Sequence, residues 1–327
     1  KQWHQGHEGQ ENRWQQQGQG WQGQGRGQEQ QGQQQRPKGV DARALTGQIS
    51  QAGSTRELLR LSATHSASLD HIHVANLWNK LGKQSDASGP SHREELRRLL
   101  RRTVELTGSC GARQLSNVAH GVAKCRIVEL RLEASALLTT VAEAAVPRLR
   151  DFNRQNLSNT VWAYATAGHK APALLDAIAA AAVPRLRDFS PQDLAITAWA
   201  FAVTDQLAPA LFDSHDFVQL CAAQHGFLPV ELSQLHQWQL WREERGAAWP
   251  PLPPELARRC HAAFCQEEGV PSLLQRDVVA SLREIGLTPQ EEVRTPQGYS
   301  LDAVVSEGGF EVAVEVDGPW HFCGRTP

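Results

Sequence analysis

"ALLTTVAEAAVPRLRDFNRQNLSNTVWAYATAGHKAP", residues 136–172, runs without a gap into "ALLDAIAAAAVPRLRDFSPQDLAITAWAFAVTDQLAP", residues 173–209. Each stretch is 37 residues long, and the two are identical at 21 positions. A period of that length in helix-forming residues is the mark of stacked helix pairs. In the second copy Leu174, Leu175, Ile178, Ala182 and Leu186 recur at helical spacing, and the run from Ala179 to Ala182 has the highest helix propensity available. Pro184 is expected to kink or fray the end of that helix. Ser190 reads as the N-cap of the next one, with Pro191 at its first position and Asp193 in its first turn. Leu194, Ala198, Phe201 and Ala202 form the apolar stripe of this second helix, matched one repeat earlier by Leu157, Val161, Tyr164 and Ala165.

Weaker copies flank the strong pair. Leu115, Ser116 and Asn117 repeat Leu157, Ser158 and Asn159, and Val74, Ala75 and Asn76 with Trp78 repeat them again upstream. Downstream, "FLPVELSQLHQW" (residues 227–238) echoes residues 189–199 with one insertion. Four or five helix pairs are therefore expected over residues 41–245, an α-helical solenoid whose extended face suits a long flexible ligand. Residues 246–269 read as a Pro-containing connector, and residues 270–327 as a separate C-terminal unit.

Residues 1–36 are mostly Gln and Gly, with Trp3, Trp14 and Trp21 as the only large apolar side chains. Such a segment buries too little surface to offset its ordering entropy, so residues 1–40 are expected to be disordered. The chain has no Met at all, which reads as a sequence cut at both ends, with any targeting peptide lost. No run of 18 apolar residues is present, which argues against a membrane span. The net charge of −2 lacks the basic excess usual for nucleic-acid binding, but the charge is segregated. Residues 93–133 hold nine Lys or Arg against five Glu, whereas residues 291–317 hold seven acids against Arg294 alone. The middle can meet phosphates, and the end would repel them unless a cation intervened. None of the six cysteines forms a CxxC pair, and Cys260, His261 and Cys265 on a helix do not converge on one ion, so reduced thiols are expected.

The C-terminal unit reads as αβββ. Leu273 to Ile285 has a helical apolar stripe closed by Gly286, and three short strands follow at residues 291–295, 299–305 and 310–316, separated by turn-forming residues. "FEVAVEVDGPWHF" (residues 310–322) carries Glu315 and Asp317 out of the last strand on the same side.

"LSNTVWAYA" and "VPRLRDFSPQDL" resemble the octotricopeptide repeats of green-algal organellar RNA-binding proteins and, distantly, the leucine-rich region of FAST-kinase proteins. "WPPLPPEL" (residues 249–256) is similar to a Pro-rich element of the same family. "SLDAVV" with "VAVEVDGPWHF" resembles a RAP domain, an RNA-associated module akin in fold to Vsr-like and PD-(D/E)XK endonucleases. The resemblance implies a mainly α protein, a solenoid followed by a small α/β RAP-like domain. It implies single-stranded RNA as partner, other organellar RNA-processing proteins as companions, and post-transcriptional control of a chloroplast or mitochondrial transcript.

The nuclease likeness implies Asp302 and Glu315 as a shared site for Mg²⁺, with Asp317 where a lysine is expected and His321 beyond it as a Vsr-like substitute. A fold signature is the competing reading, since Asp317, Gly318 and Pro319 are also good turn chemistry. For RNA binding, Arg148, Arg150, Arg185 and Arg187 recur with the repeat and can follow phosphates. Asn156 against Asp193, and Asn159 against Ile196, are the swaps between copies best placed to choose bases. Trp162 and Trp199 are expected to be packing residues, and Asp151 and Asp188 can pair locally with the arginines. No cofactor is required by the RNA-binding reading. A Mg²⁺-dependent endoribonuclease and a protein-binding helical scaffold are the alternatives.

Overall fold

The computed structural model describes residues 41–316 except Ser88, residues 247–248 and residues 267–270. The protein is mainly helical and ends in a small antiparallel sheet. Fourteen α-helices are present among the described residues. They are α1 (Ala42–Gln51), α2 (Thr55–Thr64), α3 (His71–Leu81), α4 (Arg93–Leu106), α5 (Ala112–Cys125), α6 (Arg131–Ala145) and α7 (Arg154–Ala167). Then follow α8 (Pro172–Ala182), α9 (Pro191–Val203), α10 (Pro209–Phe212), α11 (His215–Ala223), α12 (Pro229–Glu244), α13 (Pro254–Cys265) and α14 (Leu273–Glu284).

The helices alternate between two layers. In one layer, termed inner below, α3 packs on α5, α5 on α7, α7 on α9 and α9 on α12; in the other, termed outer, α2 packs on α4, α4 on α6 and α6 on α8. Leu, Val and Ala side chains between the layers form one continuous core, with Trp78, Trp199, Trp238, Tyr164 and Phe201 fully buried in it. The prolines act as expected. With no N–H at Pro147 or Pro184 the α ladder fails, and the chain tightens into 3₁₀ turns at Val146–Asp151 and Val183–Asp188. Each inner helix then restarts on a cap. Asn153 and Ser190 accept the N–H of Asn156 and Asp193, and the side chains of those two residues accept the cap N–H in return.

After the inner helices the chain turns through a left-handed residue at repeat spacing: Arg126 (φ 43°), Gly168 (φ 61°) and Asp205 (φ 54°). Only the glycine takes that conformation without cost. At Asp205 the cost is offset by bonds to the end of α12, where Trp241 Nε1 and Arg245 Nε donate to its carboxylate at 2.9 and 2.7 Å.

The connector expected over residues 246–269 contains α13, which buries Leu256, Cys260, Ala263 and Phe264 against α12. Its apolar face is a helical stripe, so this segment is part of the packed array and more than a tether. Trp78 also departs from the expected repeat. It falls one residue short of the position of Trp162, and its Nε1 donates to Thr103 of α4 at 2.9 Å, so it holds the two layers together.

The C-terminal unit is αβββ as expected, with strands β1 (Gln290–Arg294), β2 (Ser300–Glu307) and β3 (Phe310–Val314) in the order β1-β2-β3, all antiparallel. Its β1–β2 turn docks on the helical array. His236 of α12 lies 2.9 Å from the carbonyl of Gln297, and the Phe264 and Tyr299 rings meet edge to face. Gly298 (φ 93°) is needed there twice over, because a Cβ would also fall 2.9 Å from Cys265 Sγ.

Candidate nucleic-acid interface

The inner helices stack in register, so residues at equal distance from their N-caps line up across the layer. The caps are Asp70, Gly111, Asn153, Ser190 and Leu228 for α3, α5, α7, α9 and α12. The third helical position carries His73, Gln114, Asn156, Asp193 and Glu231. Of these, His73, Asn156, Asp193 and Glu231 turn back to the N–H of their own cap residue. The sixth position carries Asn76, Asn117, Asn159, Ile196 and Gln234. Asn76, Asn117 and Asn159 are half-buried and share one face with residues three and seven positions further on.

This face has an opening between α3 and α5, a shallow groove of about 170 Å³ lined by Ile72, Ala75, Asn76, Arg113, Gln114 and Asn117. Farther along, the rings of His120 of α5 and Trp162 of α7 meet with centroids 4.8 Å apart and planes tilted by 40°. Trp162 is mostly buried and Trp199 wholly so, in line with their expected packing role. Burial, with the charges of Lys124 and Lys83 added, holds His120 down at about 3, so its imidazole is neutral. None of the three helices α3, α5 and α7 contains an Asp or a Glu, whereas α4 and α6 of the other layer carry several. Acids return to the inner layer with Asp193 in α9 and Glu231 in α12.

The structure gives Asn156 and Asp193 another task than base choice. Both are buried and bond back to the cap residue three positions earlier, and the Asp193 carboxylate accepts from the Ser158 hydroxyl at 2.7 Å and pairs with Arg154. The change from Asn to Asp between the copies alters a cap and its neighbour across α7 and α9. The capping box was readable in the spacing from Ser190 to Asp193; the bond back to Ser158 was not, since it joins residues 35 apart.

The four repeated arginines divide into two kinds. Arg148 donates to the carbonyls of Ala144 and Gly108 at 2.6 and 3.0 Å. Arg185 donates to those of Phe152 and Arg150, the latter at 2.7 Å. Arg102 does the same to Leu69 at 2.8 Å, so three successive outer elements each reach back to the main chain of the preceding pair. Arg150 and Arg187 are exposed instead, and Arg150 lies 3.7 Å from Asp151. Asn159 stands in the row of asparagines described above, while Ile196 is buried.

At the C-terminal unit Ala303 pairs with Val314, and Asp302 and Glu315 are the residues next to that last pair. One oxygen of Asp302 accepts the N–H of Val316 at 2.6 Å, a hold on the strand end that suits the fold-signature reading. Two carboxylates brought together at this strand end would make a partial site for a hard divalent cation. Asp317 and His321 lie outside the described residues, and among the described residues no three His, Cys, Asp or Glu side chains gather. Cys110, Cys125, Cys221, Cys260 and Cys265 are free thiols, and burial pushes Cys125 up to about 12. No described helix is long and apolar enough to cross a membrane. No protein-family model matches this chain, and no curated protein matches it either.

Proposed function

We propose that this chain is an organellar RNA-binding protein, an α-solenoid of octotricopeptide-like helix pairs followed by a RAP-like domain, that holds single-stranded RNA along the inner layer. The observation that carries the reading is the acid-free face of α3, α5 and α7, on which Asn76, Asn117 and Asn159 stand in register. Amide side chains offer both a donor and an acceptor to a base edge, and the half-buried His120 ring, backed by Trp162, offers an aromatic surface. Arg113 on the same face, with Arg150 and Arg187 on the edge of the outer layer, supplies cations for phosphates. The organellar setting, and a role in processing, stabilising or translating a transcript, rest on the sequence resemblance alone.

RNA selection on the full chain tests the reading. A shared short motif in the enriched pool, lost when Asn76, Asn117 and Asn159 are replaced by Ala, is the expected result. Enrichment without a motif, abolished by moderate salt, would favour a protein-binding scaffold. The recovered RNA also tests the second reading, favoured by Asp302 and Glu315 lying next to the last paired residues of β2 and β3: Mg²⁺-dependent cuts that vanish in Glu315→Ala would make the C-terminal unit a nuclease.

A further inference from the structure

We infer that the groove between α3 and α5 is a subsite for one adenosine nucleotide. The site deepens the RNA-binding reading and rests on it for its natural ligand. Asn76 lines the wall of the groove that α3 provides, and Arg113, Gln114 and Asn117 line the wall that α5 provides. No described residue hydrogen-bonds or ion-pairs with any of these side chains. Their counterparts on α7 are already engaged. Asn156, which stands where Gln114 does, is turned back to its own cap, and Arg154 in the same first turn is paired with Asp193. Hydrogen-bonding side chains left unused around one concavity are an arrangement that a polar ligand completes.

The chemistry of the walls selects the ligand. Asn76, Gln114 and Asn117 are carboxamides, each presenting an acceptor beside a donor. On its two edges away from the ribose, adenine presents two matching pairs, N6–H with N7 and the other N6–H with N1, so carboxamides from both walls can each close two bonds to one base. Guanine has two acceptors on its N7 edge, uracil has one N–H to share between two carbonyls, and cytosine has a single such pair. Ile72, exposed on the same groove, and Ala75 give the ring an apolar surface. Arg113 is left for the phosphate. No acid of α3 or α5 competes with it, and the carboxylate of Asp70, the cap of α3, accepts the N–H groups of Ile72 and His73.

A free adenine nucleotide and an adenosine within single-stranded RNA both carry that chemistry, and the test separates them. A single-stranded RNA taken from the selection is titrated into the full chain, into Arg113→Gln, into Asn76→Ala/Asn117→Ala and, as control, into Arg98→Gln on the outer layer, after circular dichroism shows all of them folded. 7-Deazaadenosine, which lacks the N7 acceptor, is then placed at each adenosine of the motif in turn. At one position it is expected to weaken binding to the full chain and to Arg98→Gln about fivefold, and to leave the double variant no weaker than before. Arg113→Gln is expected to weaken every sequence alike and to lower the slope of log affinity against log salt by about 0.7, the value for one lost phosphate contact on a single strand. A motif with no such adenosine, or a slope unchanged in Arg113→Gln, would overturn the subsite while leaving RNA binding intact. If no RNA is retained, AMP, GMP, CMP and UMP are compared by saturation-transfer NMR. A preference for AMP that disappears in Arg113→Gln would leave the groove standing as a site for a free nucleotide and remove the RNA reading, whereas no preference would remove both.

Discussion

The Ser158 hydroxyl of α7 donates to the Asp193 carboxylate of α9 at 2.7 Å, so a first-turn residue that closes the capping box of one helix is also the anchor of its neighbour. The same carboxylate accepts the Ser190 N–H at 3.0 Å and pairs with Arg154, which leaves it fully engaged although nearly all of it is out of solvent. Asp193→Ala strips all of these bonds at once and is expected to cost about 2–4 kcal/mol. Asp193→Asn should cost less than half of that, because Asn156 caps α7 in the same way one repeat earlier. Urea unfolding curves of the two variants decide the point; equal losses would mean that the cap bond is not what Asp193 supplies.

Gly121 permits the close approach of α3 and α5. Adding one methyl group in Gly121→Ala puts a carbon against the Trp78 carbonyl, which belongs to backbone and cannot swing away. Overpacking of this kind costs about 1–3 kcal/mol, and the variant should melt several degrees lower. Gly53→Ala meets nothing within 4 Å and serves as the control.

Asp205 adopts φ 54° at the position that Gly168 fills one repeat earlier. Asp205→Ala keeps the backbone cost and loses the bonds to Trp241 and Arg245, whereas Asp205→Gly loses the bonds and removes the cost. The alanine variant is therefore expected to be the less stable by about 1 kcal/mol, read from chemical denaturation.

His120 gives the fold an acid sensitivity. Burial and the charges of Lys124 and Lys83 hold its folded value at about 3, below the ordinary histidine value of 6.5. The unfolded chain therefore binds the extra proton first. The neutral ring's contribution is fully present above about pH 6.5 and is lost progressively as pH falls toward 3. His120→Gln should flatten the stability profile over that window. Imidazole resonances followed from pH 7 to 4 should show His120 still neutral when exposed histidines have titrated.

The helix pairs, their caps and the αβββ order of the C-terminal unit were legible because each is written in local spacing. Ser190, Pro191 and Asp193 announce a helix start by themselves. The face that stands out in three dimensions was only half legible. Asn76, Asn117 and Asn159 were visible as echoes of one another, but the lack of acids on α3, α5 and α7 emerges only once those helices are known to share a layer. Arg148 and Arg185 misled for the opposite reason. Their recurrence follows from a structural need, since each reaches carbonyls about one repeat back, and periodicity cannot tell a bond within the protein from one to a ligand.

Those arginine bonds have a further consequence. Arg102, Arg148 and Arg185 each grip main-chain oxygens of the preceding pair, and every residue type possesses such an oxygen. The joint between units is thus indifferent to the side chains on the receiving surface. A unit copied by gene duplication arrives with a coupling that fits its neighbour at once, and its exposed positions are free to diverge afterwards. Residues 136–209, two copies that agree at the arginines and differ along the helix face, have the form that such a history leaves.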